Sequence, residues 1–129
     1  MKKQAVTALV VSAGLAAGVW ALSVPLTGKS EPWDSEGAYY FLALAVSGAL
    51  SGVIAPRPWW AHYAGAMLGQ AGYELAFLKL GPLFLLGLVF LAGYSMIFVV
   101  AAALAASFRK GPPPGAPDGV SAEHGDPGR

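Results

Sequence analysis

Residues 58–79 read PWWAHYAGAMLGQAGYELAFLK. The segment opens on a tryptophan pair, closes on a lysine, and is largely apolar between them. From Trp60 to Leu78 there are 19 residues, which as a helix extend ~28 Å, close to the hydrocarbon thickness of a bilayer. Trp59 and Trp60 fall where an aromatic belt is expected at one headgroup level. Lys79 can extend its aliphatic stem toward the other level. This reading makes the segment a membrane span and sets the expectation for the rest of the chain.

The helix has two distinguishable faces. At about 100° per residue, Gly65, Gly69, Gly72 and Ala76 fall on one narrow side, with Ala61 beside them. That is a small-residue seam with a Gly65-x-x-x-Gly69 step, which allows another helix backbone to come close. Tyr63, Met67, Gln70 and Glu74 fall on a different side, with Gln70 and Glu74 four apart and therefore neighbours. Glu74 is the single carboxylate within a span. It lies about one and a half turns from Lys79, toward the outer part of the helix, where an ionised group costs less than the ~2.5–3.5 kcal/mol of the helix centre. Glu74 is either a proton or cation site, with Gln70 beside it, or a shallow carboxyl that hydrogen-bonds Gln70, Tyr73 or a neighbouring helix.

Composition agrees with a membrane protein. Of 129 residues, 56% are hydrophobic and 12% charged, about half the charged fraction of soluble domains. Formal net charge is +1, which gives no reason to expect a nucleic-acid partner. Cysteine is absent, excluding disulfides, thiol redox chemistry and cysteine metal sites. Asparagine is absent too, so there is no N-glycosylation acceptor. Abundant Ala, Gly and Pro with few Lys suggest a GC-rich bacterial genome.

Outward from residues 58–79, three more apolar segments stand out. Residues 4–24 follow a basic Lys2-Lys3 start and carry no charge over 21 positions, enough for a spanning helix. Their length exceeds the apolar core of a secretory signal, and Trp20 suits an interface anchor, so we read a retained span with a Gly14-x-x-x-Gly18 step. Residues 25–36 form a polar connection with net charge −2, and Asp34-Ser35-Glu36 has the character of a helix start. Residues 37–55 form the next span, with Tyr39, Tyr40 and Phe41 as its belt and Gly48-x-x-x-Gly52 as a third step. Pro56-Arg57-Pro58 breaks the helix, and so short a connection predicts that the flanking spans are antiparallel neighbours. Gly81-Pro82 closes the third span and introduces the fourth, residues 82–108. Residues 111–129 are rich in Pro and Gly without apolar periodicity and are expected to be disordered.

Chemical motifs are scarce. Gly28-Lys29-Ser30 looks like the end of a phosphate loop, but position 23 is Ser23 and no strand precedes it. Gly93-x-Ser95 is half of a nucleophile elbow, but position 97 is Ile97. His62, just inside the tryptophan belt, reads as an interfacial histidine bonded to headgroups or backbone, or as a haem or chlorophyll ligand. Its twelve-residue separation from Glu74 is ~18 Å along a helix, which prevents the two from acting together without a relay. Trp33-Asp34 could hold a cation on the ring face, or dock in the headgroup layer and cap the second span. His124, beside Glu123 and Asp126, is not expected to bind a metal. No cofactor is expected and no enzymatic activity.

Glu31-Pro32-Trp33-Asp34-Ser35, Tyr39-Tyr40, Pro56-Arg57-Pro58-Trp59 and Leu68-Gly69-Gln70 together resemble a pattern in small four-span membrane proteins of proteobacteria. The resemblance covers the outer loop with the second and third spans. It implies the topology and no chemistry. Small multidrug transporters have a similar size but place their working Glu in the first helix, and this first span has no carboxylate. Fluoride channels of similar size carry a polar Asn, which this chain lacks.

The expected fold is an all-α, up-down-up-down bundle of four transmembrane helices packed through Gly14, Gly18, Gly48, Gly52, Gly65, Gly69 and Gly72. Five basic residues at one end (Lys2, Lys3, Arg57, Arg109, Lys110) against two at the other (Lys29, Lys79) place both termini in the cytoplasm of a bacterial inner membrane. The expected role is a non-enzymatic accessory or scaffold element, in contact with the lipid bilayer and with other membrane chains or copies of itself. The alternative is a small transporter or channel in which Glu74 and Gln70 line a path and His62 lies near its inner mouth.

Overall fold

The computed structural model describes residues 2–109; the segment 111–129 lies outside them. These residues form four helices and one short 3-10 turn with no strand among them. They are α1 (Lys2–Thr27), the turn Pro32–Asp34, α2 (Tyr39–Ile54), α3 (Trp59–Phe77) and α4 (Phe84–Arg109). Of the four, α1 and α4 are long and apolar enough to cross a membrane. Only 28% of either helix's apolar window is buried, whereas the central helix of a soluble protein would be mostly covered. α2 has 16 residues, ~24 Å of helix, and α3 dilutes its apolar run with His62, Gln70 and Glu74.

The helix ends differ from expectation in three places. α1 continues through Pro25 to Thr27, where it closes on Gly28 in a left-handed conformation (φ 74°), with the Gly28 amide bonded to Val24 O at 2.8 Å. The Thr27 hydroxyl bonds back to Ser23 O at 2.7 Å, so the last turn is held from its side chains. Asp34 does not cap α2. It ends the 3-10 turn, and α2 begins three residues past Glu36 behind Ala38, without a side-chain cap. Pro82 sits in a turn before α4 rather than in its first turn.

Helix pairing also departs from expectation. α2 and α3, joined by the shortest connection, are not close neighbours; they lie across a diagonal of the bundle. The tightest pairs are α1 with α3 and α2 with α4, and α1–α2 and α3–α4 close the ring more loosely. Glycine decides this. A Cβ on Gly65 or Gly69 would overlap the carbonyls of Leu9 and Ala13 on α1, and one on Gly48 or Gly52 would overlap those of Phe98 and Ala102 on α4. Both registers ascend together, so each tight pair is parallel. Four times the geometry aims a glycine Cα–H at a carbonyl of the neighbouring helix, a recurring weak hydrogen bond. Three glycines expected in seams do not pack: a Cβ on Gly14, Gly18 or Gly72 would meet nothing within 4 Å.

The buried residues explain that selection. Each helix buries a row of positions four apart: Ala8-Ser12-Ala16-Trp20, Tyr40-Leu44-Gly48-Gly52, His62-Ala66-Gln70-Glu74 and Gly87-Leu91-Ser95-Val99. Such rows are the ridges that interlock in one class of helix packing. A row of four-residue steps drifts about 40° per step around the helix. By the level of Gly72 the contact face has turned away from the Gly65–Gly69 side. Tyr63 and Met67, placed with Gln70 by the simple two-face view, are only partly buried.

Gly48→Ala and Gly69→Ala are expected to destabilise the bundle by about 2 kcal/mol or more, since a rigid carbonyl must move. Gly14→Ala is expected to be neutral or to stabilise by up to about 1 kcal/mol through helix propensity. Thermal unfolding of the purified variants in one detergent checks the contrast.

Candidate functional site

Apart from Ser23, which bonds Lys29 O at the end of α1, the buried polar groups form two layers and one outlier. Gln70 is the centre of the first layer. Its Oε1 accepts from Tyr40 OH at 2.5 Å and from Trp20 Nε1 at 3.3 Å. Its Nε2 donates to Ser95 Oγ at 3.0 Å and to Ala66 O at 3.2 Å. An amide offers two donors and two acceptor positions, and all are used, by groups from all four helices. Gln70 is fully buried, where an unpaired amide would cost several kcal/mol.

His62 is the centre of the second layer. It is buried in the bundle, 3% exposed, and it bonds the backbone, one of the two partners expected for it. Its Nε2–H donates to Ala55 O at 2.8 Å, because a carbonyl can only accept, which leaves Nδ1 as the acceptor in the neutral ring. Nδ1 lies 2.8 Å from Ser12 Oγ and 3.0 Å from Ser51 Oγ, and the two hydroxyls are 2.7 Å apart. One serine donates to the ring and the other to its fellow. A hydroxyl beside an imidazole is the start of a nucleophilic pair. Here both serines are completely buried and the imidazole's other nitrogen is held by a carbonyl rather than a carboxylate. The triangle therefore ties α1, α2 and α3 together, which sequence spacing does not show.

Between the layers lie Ala16, Leu44, Ala66 and Phe98, all 0% exposed. They follow Ser12 and precede Trp20 on α1, and sit between His62 and Gln70 on α3. Gln70 and His62 are thus separated by an apolar layer.

Glu74 is the outlier. It is 7% exposed, and its Oε2 is buried with no hydrogen-bond partner among the described residues. It does not bond Gln70 or Tyr73. Above it the 3-10 turn folds inward. Trp33, half-buried, packs edge-on against Trp20, with ring centroids 4.9 Å apart, and against Tyr40 at 6.3 Å. Its indole Nε1–H donates to Glu31 Oε2 at 2.6 Å. A methyl placed on Gly87 would lie 3.5 Å from Glu74 Oε1 and 3.6 Å from Trp33 Cη2. Glu74, Trp33 and Gly87 therefore enclose one small space, roofed by an aromatic side chain.

At the opposite end is a cavity of about 900 Å³. Its walls come from the start of α1, residues 56–60 and the end of α4, with His62 behind them. No group of three or more His, Asp or Glu residues able to hold a metal occurs among the described residues. The chain matches no protein-family model, no curated protein and no solved structure.

Gln70→Met keeps the volume and removes four hydrogen bonds, leaving Trp20 and Tyr40 with buried unpaired donors. A loss of about 2–3 kcal/mol is expected, larger than for Ser95→Ala, where the amide loses one partner. Unfolding midpoints of the two variants in the same detergent decide this.

Proposed function

We propose that this protein is a non-enzymatic membrane element whose four helices all span the bilayer and which works by associating with another membrane helix. The observation that carries this reading is the outward Gly14-x-x-x-Gly18 step. The other two such steps within the helices are each used to bring a helix backbone into contact. The third lies in a row of the same kind, Val10-Gly14-Gly18-Leu22, with Val10 60% and Leu22 54% exposed and nothing against the glycines. A backbone groove of this kind between two larger side chains suits a helix from outside the bundle.

The wider membrane reading is supported by continuity. α2 packs along α4, and α3 along α1, so helices in one layer share the environment of the two that are long enough to cross. α2 also presents Phe41, Leu42, Val46, Leu50 and Val53 outward, a surface suited to lipid. Lys2, Lys3, Arg57 and Arg109 lie at one end, and the acids of residues 31–36 at the other. The proposed orientation puts the basic end, with both termini, in the cytoplasm of a bacterial inner membrane. Occupied hydrogen bonds at Gln70 and His62, and the apolar layer between them, favour a packed structural element over a channel.

The chain lacks cysteine, so single cysteines report one position each. Gly14→Cys and Gly18→Cys are expected to cross-link in native membranes to another membrane chain or to a second copy. Val46→Cys and Val100→Cys, on other exposed faces, are expected not to. Equal cross-linking at all four positions, or none at 14 and 18, removes the proposal.

Glu74 favours a second reading. A buried carboxyl oxygen without a partner is a natural seat for a proton or a small cation reached from the acidic end. In reconstituted vesicles this reading expects proton or cation flux that falls at least tenfold in Glu74→Gln. Equal flux in the two forms dismisses it.

A further inference from the structure

We infer that the cavity at the basic end is a binding site for one anionic phospholipid, with an acyl chain inside and the phosphate against Arg57. The cavity's volume, about 900 Å³, is in the roughly 300–1,000 Å³ range of specific ligand pockets. Of the residues that line it, Ala102 and Ala106 are buried, Ala5, Val6 and Ala103 add apolar sides, and Lys2, Arg57, Trp59 and Trp60 are exposed.

Charge and depth select the occupant. No Asp or Glu lines this cavity or the smaller one next to it, among the described residues. The smaller cavity, about 330 Å³, is bounded by Gln4, Pro56, Arg57, Ala106 and Arg109. Arg57 therefore lines both spaces, and the smaller one brings two guanidinium groups and the Gln4 amide to one lining for a phosphate. Arg109 keeps donors for it after giving one to Val53 O, and planar guanidinium forks suit phosphate oxygens. The tryptophans mark the headgroup level, so the cations sit at the surface and the apolar wall sits below it. That order, anion receptor outside and hydrocarbon receptor inside, is the polarity order of a phospholipid. Basic pockets between membrane helices hold anionic headgroups in this way. The chain's own residues 111–129 are a poorer fit: they contain no Leu, Ile, Met, Phe, Tyr or Trp to fill an apolar space.

The inference rests on the membrane reading above and is independent of the Gly14–Gly18 face. The full-length chain, purified in a neutral detergent, is titrated with phosphatidylglycerol and with phosphatidylcholine of the same acyl chains, and bound lipid is counted by native mass spectrometry. One phosphatidylglycerol per chain is expected, with at least a tenfold preference over phosphatidylcholine. Arg57→Ala is expected to reduce that preference tenfold. Ala103→Trp, at an exposed position on the cavity wall, is expected to abolish tight binding without changing the melting temperature measured in detergent alone. A photoreactive phosphatidylglycerol is expected to label the start of α1 and the end of α4.

Equal binding of the two lipids overturns the inference, as does label spread evenly over the outer faces of α2 and α4. So does competition by glycerol phosphate at the lipid's own concentration, which would make the site one for a free anion. Cross-links from Ala103→Cys to residues 111–129 in place of lipid would give the cavity to the chain itself. Failure of any of these leaves the cysteine cross-linking at positions 14 and 18 unaffected, whereas a chain recovered in the soluble fraction overturns both readings.

Discussion

A buried amide tolerates no vacancy, and Gln70 has four positions to satisfy. Trp20, Tyr40 and Ser95 reach it from α1, α2 and α4, so one side chain on α3 sets the level of every other helix. The arrangement is possible because glycine lets two pairs of helices close to backbone contact on either side. Where Gly65 and Gly69 meet α1, and Gly48 and Gly52 meet α4, there is no room even for a methyl group. Packing supplies the approach and the amide supplies the register. In an interior with little water, a displaced hydrogen bond has no substitute, which makes the register specific.

The two ends of the bundle are chemically unlike. One end has an aromatic roof, two tryptophans edge to face, over a carboxyl whose Oε2 has no partner among the described residues. The other has cations around an apolar hollow. Between them Ala16, Leu44, Ala66 and Phe98 form a fully buried apolar layer. The polar residues that the sequence marks as a candidate path are therefore of different kinds. Gln70 and His62 hold helices together, and only Glu74 retains an unused hydrogen-bonding position. The proposed function accordingly looks to the surfaces, the outward Gly14–Gly18 face and the basic hollow at the end.

Much of the local structure is legible from composition and spacing. Uncharged runs, Pro56-Arg57-Pro58 and Gly81-Pro82 mark four helices to within a few residues, because chain breaks depend on backbone chemistry that each residue carries with it. Pro25 is the instructive exception. Pro25 removes the N–H that would bond Ala21 O, yet only two residues of α1 follow it, and Ser23 and Thr27 secure that final turn through their own hydroxyls. The inward fold of Trp33 is not legible, since an indole beside acids suits the headgroup layer as well as it suits the bundle's mouth.

What the sequence by itself determined is helix number, helix limits to within a few residues and the presence of small-residue steps, all properties of neighbours along the chain. Tertiary structure alone decided which helices pair, and with that which glycines matter. A short connection between α2 and α3 suggested adjacency, yet the glycine steps match carbonyl rows on α1 and α4, and close backbone contact outweighs a short loop. Gly14, Gly18 and Gly72 satisfy the same pattern as the four glycines that pack. They differ only in angle around the helix relative to a partner that lies far away in sequence. The same holds for His62, whose two serines come from α1 and α2. A spacing rule describes one helix, whereas a buried hydrogen bond requires the position of two.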